Sequence, residues 1–179
     1  MKTKLITKTL SIIAALAVTA SLGATCMAAD NSSNISVTTA VSNSVIGGDI
    51  DIATLTSAAA DSVTDQTTTV LQNVISGGSI TVTDISRLIG GDVTKSSVTA
   101  ADSVLSGGDL TVTNIADILG SDVTAVYAAG INNAVVSGDI NLTDIVSTYG
   151  STDNLQAVIQ NMVSNTVATG DVTSVNIIQ

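Results

Sequence analysis

Apolar and polar positions in this chain recur on a fixed beat. The stretch Ser103–Asp122, SVLSGGDLTVTNIADILGSD, has copies that begin near Ser44, Asn73, Asn133 and Asn165. Gly48, Gly78, Gly108 and Gly138 fall 30 residues apart, and Gly170 follows after 32. A period of this size is the mark of a solenoid, in which one supersecondary unit recurs and neighbours bury each other's apolar faces. Units are expected near 34–63, 64–93, 94–123, 124–155 and 156–179, preceded by the polar leader Asn31–Ala40. No Pro-rich or Gly/Ser linker interrupts them, so residues 30–179 read as a single repeat domain.

Each unit has three parts. A Gly-Asp turn opens it, followed by a short alternating piece (Ile50/Ile52, Ile80/Val82, Leu110/Val112, Ile140/Leu142) that predicts a strand. The next segments are 83–90, 113–120 and 143–150. Val82, Ile85, Leu88 and Ile89 are spaced as a helical face, with Thr83 at an N-cap position and Gly90 at a C′ position. A longer helical spacing follows, clearest in Leu155, Val158, Ile159, Met162, Val163 and Val167. The fold expected from this pattern is an α/β solenoid of about five 30-residue units, each a short parallel strand plus helices.

The alternative is a right-handed parallel β-solenoid with corners at the Gly-Asp turns. Val, Thr, Ser and Asn are indifferent helix formers, and the chain contains no Glu. Spacing also weighs against helices: paired strands lie about 4.8 Å apart, whereas packed helices need about 8–10 Å. The period weighs against the β-solenoid, because the Asp turns Asp92, Asp109, Asp122 and Asp139 alternate at 13 and 17 residues and strict alternation is poor outside the strand after each turn.

Met1–Ala29 reads as a signal peptide. Lys2, Lys4 and Lys8 precede an apolar run over Leu10–Ala24, and Ala28 and Ala29 offer a cleavage site. The run is shorter than the roughly 20 apolar residues of a membrane span. Leu22 stands one place too far from Cys26 for a lipobox. An exported, secreted or cell-surface protein is the expectation. Beyond the leader, Arg87 and Lys95 stand against fifteen aspartates, a formal charge of −13. Such a surface repels nucleic acid and anionic membranes.

Candidate chemistry is sparse. The chain has no His, its one Cys (Cys26) lies in the leader, and all its acids are Asp. That leaves few groups for acid, base or nucleophile and argues against an enzyme. Stacked units would bring the turn residues Asp49, Asp109, Asp139 and Asp171 into a row, with Asp144 five residues beyond its turn. This row is a candidate site for Ca²⁺, set against the ordinary turn chemistry of Asp and Gly. Residues 138–145, GDINLTDI, resemble the second half of an EF-hand or dockerin calcium loop. Gly138 matches the loop glycine and Asp144 the terminal acid, while the early ligand positions fall on Asn133, Val135 and Ser137. Thr81, Thr83, Thr111 and Thr113 would form ranks on a flat face, as in ice-binding solenoids.

The chain ends on Val172, Val175, Ile177 and Ile178 with no following unit to cover them. These are the candidate assembly residues. The function expected is a non-enzymatic structural protein of the cell surface or extracellular matrix, a scaffold or adhesin that self-assembles head to tail. The second reading is a binding module whose repeated face takes Ca²⁺, ice or a partner protein.

Overall fold

The computed structural model describes residues 13–14, 18–27, 32–149 and 153–179. The chain is a parallel β-solenoid of five successive rungs. The first rung comprises β3 (Ser32–Ile46) and β4 (Ile50–Ala59), preceded by the strands β1 (Ile13–Ala14) and β2 (Val18–Met27). The second is β5 (Ser62–Ser76) and β6 (Ile80–Ile89), and the third β7 (Asp92–Ser106) and β8 (Leu110–Leu119). In the fourth, β9 (Asp122–Asn132) and β10 (Val135–Val136) lead into β11 (Ile140–Tyr149). In the fifth, β12 (Asn154–Ser164) and β13 (Val167–Ala168) lead into β14 (Val172–Ile178). Each rung begins two residues before the unit expected from the sequence.

Two parallel sheets result. One contains β3, β5, β7, β9/β10 and β12/β13, with β1 on its first edge; the other runs β2-β4-β6-β8-β11-β14. The register is in phase: Val63 pairs Val93, Val93 pairs Val123, Ile80 pairs Leu110 and Leu110 pairs Ile140. Tyr149 pairs Leu119 at a spacing of 30, and Asn154 pairs Asp122 at 32. The two extra residues of the fourth period therefore fall between Tyr149 and Asn154. Ladder bonds continue through the Gly-Asp corners, as in Ile80 N donating to Asp109 O at 2.8 Å and Leu110 N to Asp139 O at 2.9 Å.

The helices expected over 83–90, 113–120 and 143–150, and in the longer segment after them, are not formed. Among the described residues every regular element is a strand. Alternation is strict, but its hydrophobicity is scrambled. In β6, Ile80, Val82, Asp84, Ser86 and Leu88 are all buried, while Ile85 and Ile89 face outward. Polar side chains on the inside and apolar ones on the outside erased the two-residue period and left an accidental 3.6-residue one. β-Branched residues throughout favour the extended chain.

Each long side bends at one residue with positive φ: Asn43, Asn73, Ser103, Asn133 and Asn165, at 48–57°. Asn tolerates the left-handed region better than other non-glycine residues. It also bridges rungs here, for Asn73 Nδ2 donates to Asn43 Oδ1 at 3.1 Å. The bend divides the inward positions into two sets, so the interior has three zones. One apolar cluster lies near the Gly-Asp corners (Val74, Ile80, Val104, Leu110, Val136, Ile140) and another near the opposite corners (Val63, Leu88, Val93, Ile118, Val123). A buried polar seam runs between them.

Ser103 is the one non-Asn residue in the bend column. Ser103→Asn should stabilise the fold by about 0.5 kcal/mol, and Ser103→Val, β-branched at positive φ, should destabilise it by about 1–2 kcal/mol. The urea midpoints of the two variants against the parent check both signs.

Candidate functional site

The first candidate site is the row of Gly-Asp corners. Asp49, Asp109, Asp139 and Asp171 do fall in one column, with Ser79 in the second rung, and each engages its neighbour. Asp49 Oδ1 accepts the backbone N–H of Ser79 at 2.8 Å, Asp109 Oδ1 that of Asp139 at 2.9 Å, and Asp139 Oδ1 that of Asp171 at 2.8 Å. Charge-assisted bonds of this kind tie one rung to the next. They also account for the invariant second glycine of the turn: a Cβ at Gly78, Gly138 or Gly170 would overlap Oδ1 of Asp49, Asp109 or Asp139. Asp144 is not part of this row. It points into the interior, where Asn114 Nδ2 at 2.6 Å and Asn161 Nδ2 at 2.7 Å donate to it. Among the described residues no three acidic, Cys or His side chains group closely enough to hold a metal ion.

The second candidate is the end of the stack. Val172 and Ile178 occupy inward columns, continuing Ile140 and Val146, whereas Val175 and Ile177 face outward in line with Thr143 and Ile145. Ile140 is 0 % exposed with a rung on either side, but Val172 is 56 % exposed. The Thr ranks are real as well: Thr81 pairs Thr111, Thr83 pairs Thr113 and Thr113 pairs Thr143 on the outer face of the second sheet. Beside the Gly-Asp corners an exposed apolar stripe runs through Val45, Ile75, Leu105, Val135 and Val167. The sequence reading did not anticipate it.

Neither did it anticipate the buried seam. Counting inward positions by 30 superposes Ile35, Asp65, Lys95 and Ala125 in one column and Thr54, Asp84, Asn114 and Asp144 in the facing one. Lys95 is the sole lysine after residue 8. Its Nζ donates to Asp65 Oδ2 at 2.8 Å and to Thr67 Oγ1 at 3.3 Å. It also lies 2.8 Å from Asp84 Oδ2, an ion pair without hydrogen-bond alignment. The side chains of Lys95 and Asp65 are 0 % exposed and that of Asp84 is 3 % exposed. Ser86 Oγ donates to Asp65 Oδ2 at 2.9 Å, and Ser97 Oγ donates to Asn114 Oδ1 at 2.9 Å. Asp65 Oδ1 and Asp84 Oδ1 are buried without a hydrogen bond. The signal for this site was a lone lysine one full period from an aspartate.

Tyr127 lies in the same interior, with its hydroxyl buried and unbonded. Burial above all, then the carboxylates of Asp84, Asp65 and Asp144, pushes its phenol far above the usual range. No family model matches the chain, and no curated protein or solved structure matches it either.

Because the folded phenol keeps a proton that the unfolded one loses near pH 10, the contribution of Tyr127 to stability is intact below that pH and falls as pH rises beyond it. Tyr127→Phe should remove this alkaline loss. It should also match or exceed the parent at neutral pH, since an orphaned buried hydroxyl costs about 1–3 kcal/mol. Thermal midpoints of both proteins at neutral pH and near pH 11 test this; a Phe variant that loses as much as the parent on going alkaline contradicts it.

Proposed function

We propose that the protein is an exported, non-enzymatic structural repeat protein that stacks head to tail into filaments at the cell surface or in the extracellular matrix. The observation that carries this reading is the fifth rung, whose inward columns are exposed in β14 and partly buried in β12 and β13, where the interior rungs bury them. An open strand edge is a template for another strand, and a contact between opposite ends propagates as a filament when its rotation does not close.

The occupant that fits best is the first rung of a second copy. Continuing the columns sets Val172 against Ile50, Ala168 against Ile46, Val163 against Val41 and Asn165 against Asn43. Asp171 would meet the backbone N–H of Asp49, repeating the corner bond of the interior rungs. The seam continues too: Asn161 Oδ1 and Thr39 Oγ1, both buried without a partner in the single chain, come into the same column.

The signal-peptide reading bears on this contact. Its positive n-region, part of its apolar run and its cleavage site at Ala28 or Ala29 lie outside the described residues. Its segment Val18–Met27 pairs with Ile50–Ala59 as β2. Removing residues 1–29 on export would free that edge of the first rung, so assembly would follow secretion. Calcium has a weaker claim, because one oxygen of Asp49, Asp109 and Asp139 already serves the ladder. The Thr ranks support a second reading, an ice-binding face, for which thermal hysteresis of freezing is the direct assay.

Residues 30–179 should form filaments or oligomers that salt promotes, as screening reduces the repulsion of a −13 charge over a Debye length of about 8 Å. Val172→Lys or Ile178→Lys, at inward columns, should abolish this, while Val175→Lys, facing outward, should preserve it. Sedimentation and electron microscopy read the outcome. A chain that stays monomeric at high concentration in salt sinks the reading.

A further inference from the structure

We propose that Lys95 and Asp65 join through an intramolecular isopeptide bond, formed spontaneously with Asp84 as proton carrier. The three groups meet in the buried polar seam, between the apolar cluster that includes Val63, Leu88 and Val93 and the one at the Gly-Asp corners. Lys95 Nζ lies 2.8 Å from one oxygen of each carboxylate. Two carboxylates against one ammonium leave an unbalanced charge, with Asp144 and its own partners farther along the same seam. Burying ions is expensive even when they are paired, and three of the four oxygens of Asp65 and Asp84 lack any hydrogen bond. Condensation removes one buried positive and one buried negative charge and leaves a neutral amide whose carbonyl still accepts from its neighbours; the excess negative charge stays on Asp84.

The chemistry balances within the triad. The Lys95 ammonium passes a proton to the Asp84 carboxylate, and the freed amine lone pair attacks Asp65 Cγ to form the C–N bond. Asp84 returns its proton to one Asp65 oxygen, then relays a second proton from nitrogen to that oxygen. The C–O bond breaks with its electron pair leaving on oxygen, as water. Of the three ammonium protons, one stays on the amide nitrogen and two depart in the water; Asp84 ends as it began. No oxidant, cofactor or activated ester is required. Reactants fixed in contact gain effective molarities of about 10⁵–10⁸ M, and burial of all three side chains keeps bulk water from the new bond.

Asp65 is assigned as the acyl partner for two reasons. It is the direct ladder neighbour of Lys95, and its oxygen is held by both Lys95 and Ser86. Asp84 projects from the opposite sheet and is free of directed hydrogen bonds to other groups, as a carrier of protons should be. The bond would lock the second rung to the third, independently of whether chains assemble end to end.

Intact-mass spectrometry of the folded protein decides the matter. The expected result is a mass lower than that of the sequence by one water, with a protease fragment map showing residue 65 joined to residue 95 and no tryptic cleavage after Lys95. Lys95→Met, which replaces the amine with an apolar side chain, should show its full sequence mass. Asp84→Asn should also show its full mass while retaining a β-type circular dichroism spectrum. Asp65→Asn, if it reacts, should lose ammonia in place of water. A folded parent protein at full mass overturns the proposal, as does a water loss that maps to any pair other than Lys95 and Asp65. Should Asp84→Asn fail to fold, the parent mass and the fragment map still decide.

Discussion

Everything in this molecule follows from the spacing of a parallel ladder. Rungs about 4.8 Å apart bring each side chain against the residue one period before and one period after it, so the unit of design is the column. A column accepts small variations, such as Ile50, Ile80, Leu110, Ile140 and Val172, because each member faces nearly the same pair of neighbours. It also transmits any polar choice, since a buried polar side chain must find its partner within the seam. Asn114 with Asp144 and Lys95 with Asp65 are such choices, each made across one period.

The corners show how the ladder survives where the chain must turn. At one, an Asp side chain replaces the bond that a straight strand would make, and the glycine of the next rung leaves room for it. At the bend, a residue with positive φ redirects the strand, and pairing in the first three rungs resumes in the same register on its far side. Between β11 and β12 the period lengthens by two residues, and both sheets are in phase on the far side. Different corners thus carry different tolerances.

The period, the Gly-Asp turns and the strand after each turn were legible in the sequence because their signals are local or strictly repeated. The remaining strands were not. Pattern reading assumes that apolar means inward, and β6 breaks the assumption at Asp84, Ser86, Ile85 and Ile89. The recurrence of Asn at 43, 73, 133 and 165 marked the bend, but only the structure shows why that residue type recurs. The Asp row was readable as a row; that Asp144 turns inward was not, because inward and outward positions differ by one residue. The buried triad could have been found only by superposing the chain on its own period, which places Lys95 on Asp65.

A solenoid of similar rungs faces an ambiguity of order: apolar columns alone would accept a rung displaced by one period, or one borrowed from another molecule. The seam resolves it. A single lysine, flanked by one aspartate a period earlier and one on the opposite wall, has one place in the stack where its charge is met. Setting the third rung directly on the first would place Lys95 beside Ile35 in place of Asp65 and leave its charge unmet. The polar interior therefore works as an address, numbering turns that the hydrophobic interior cannot tell apart.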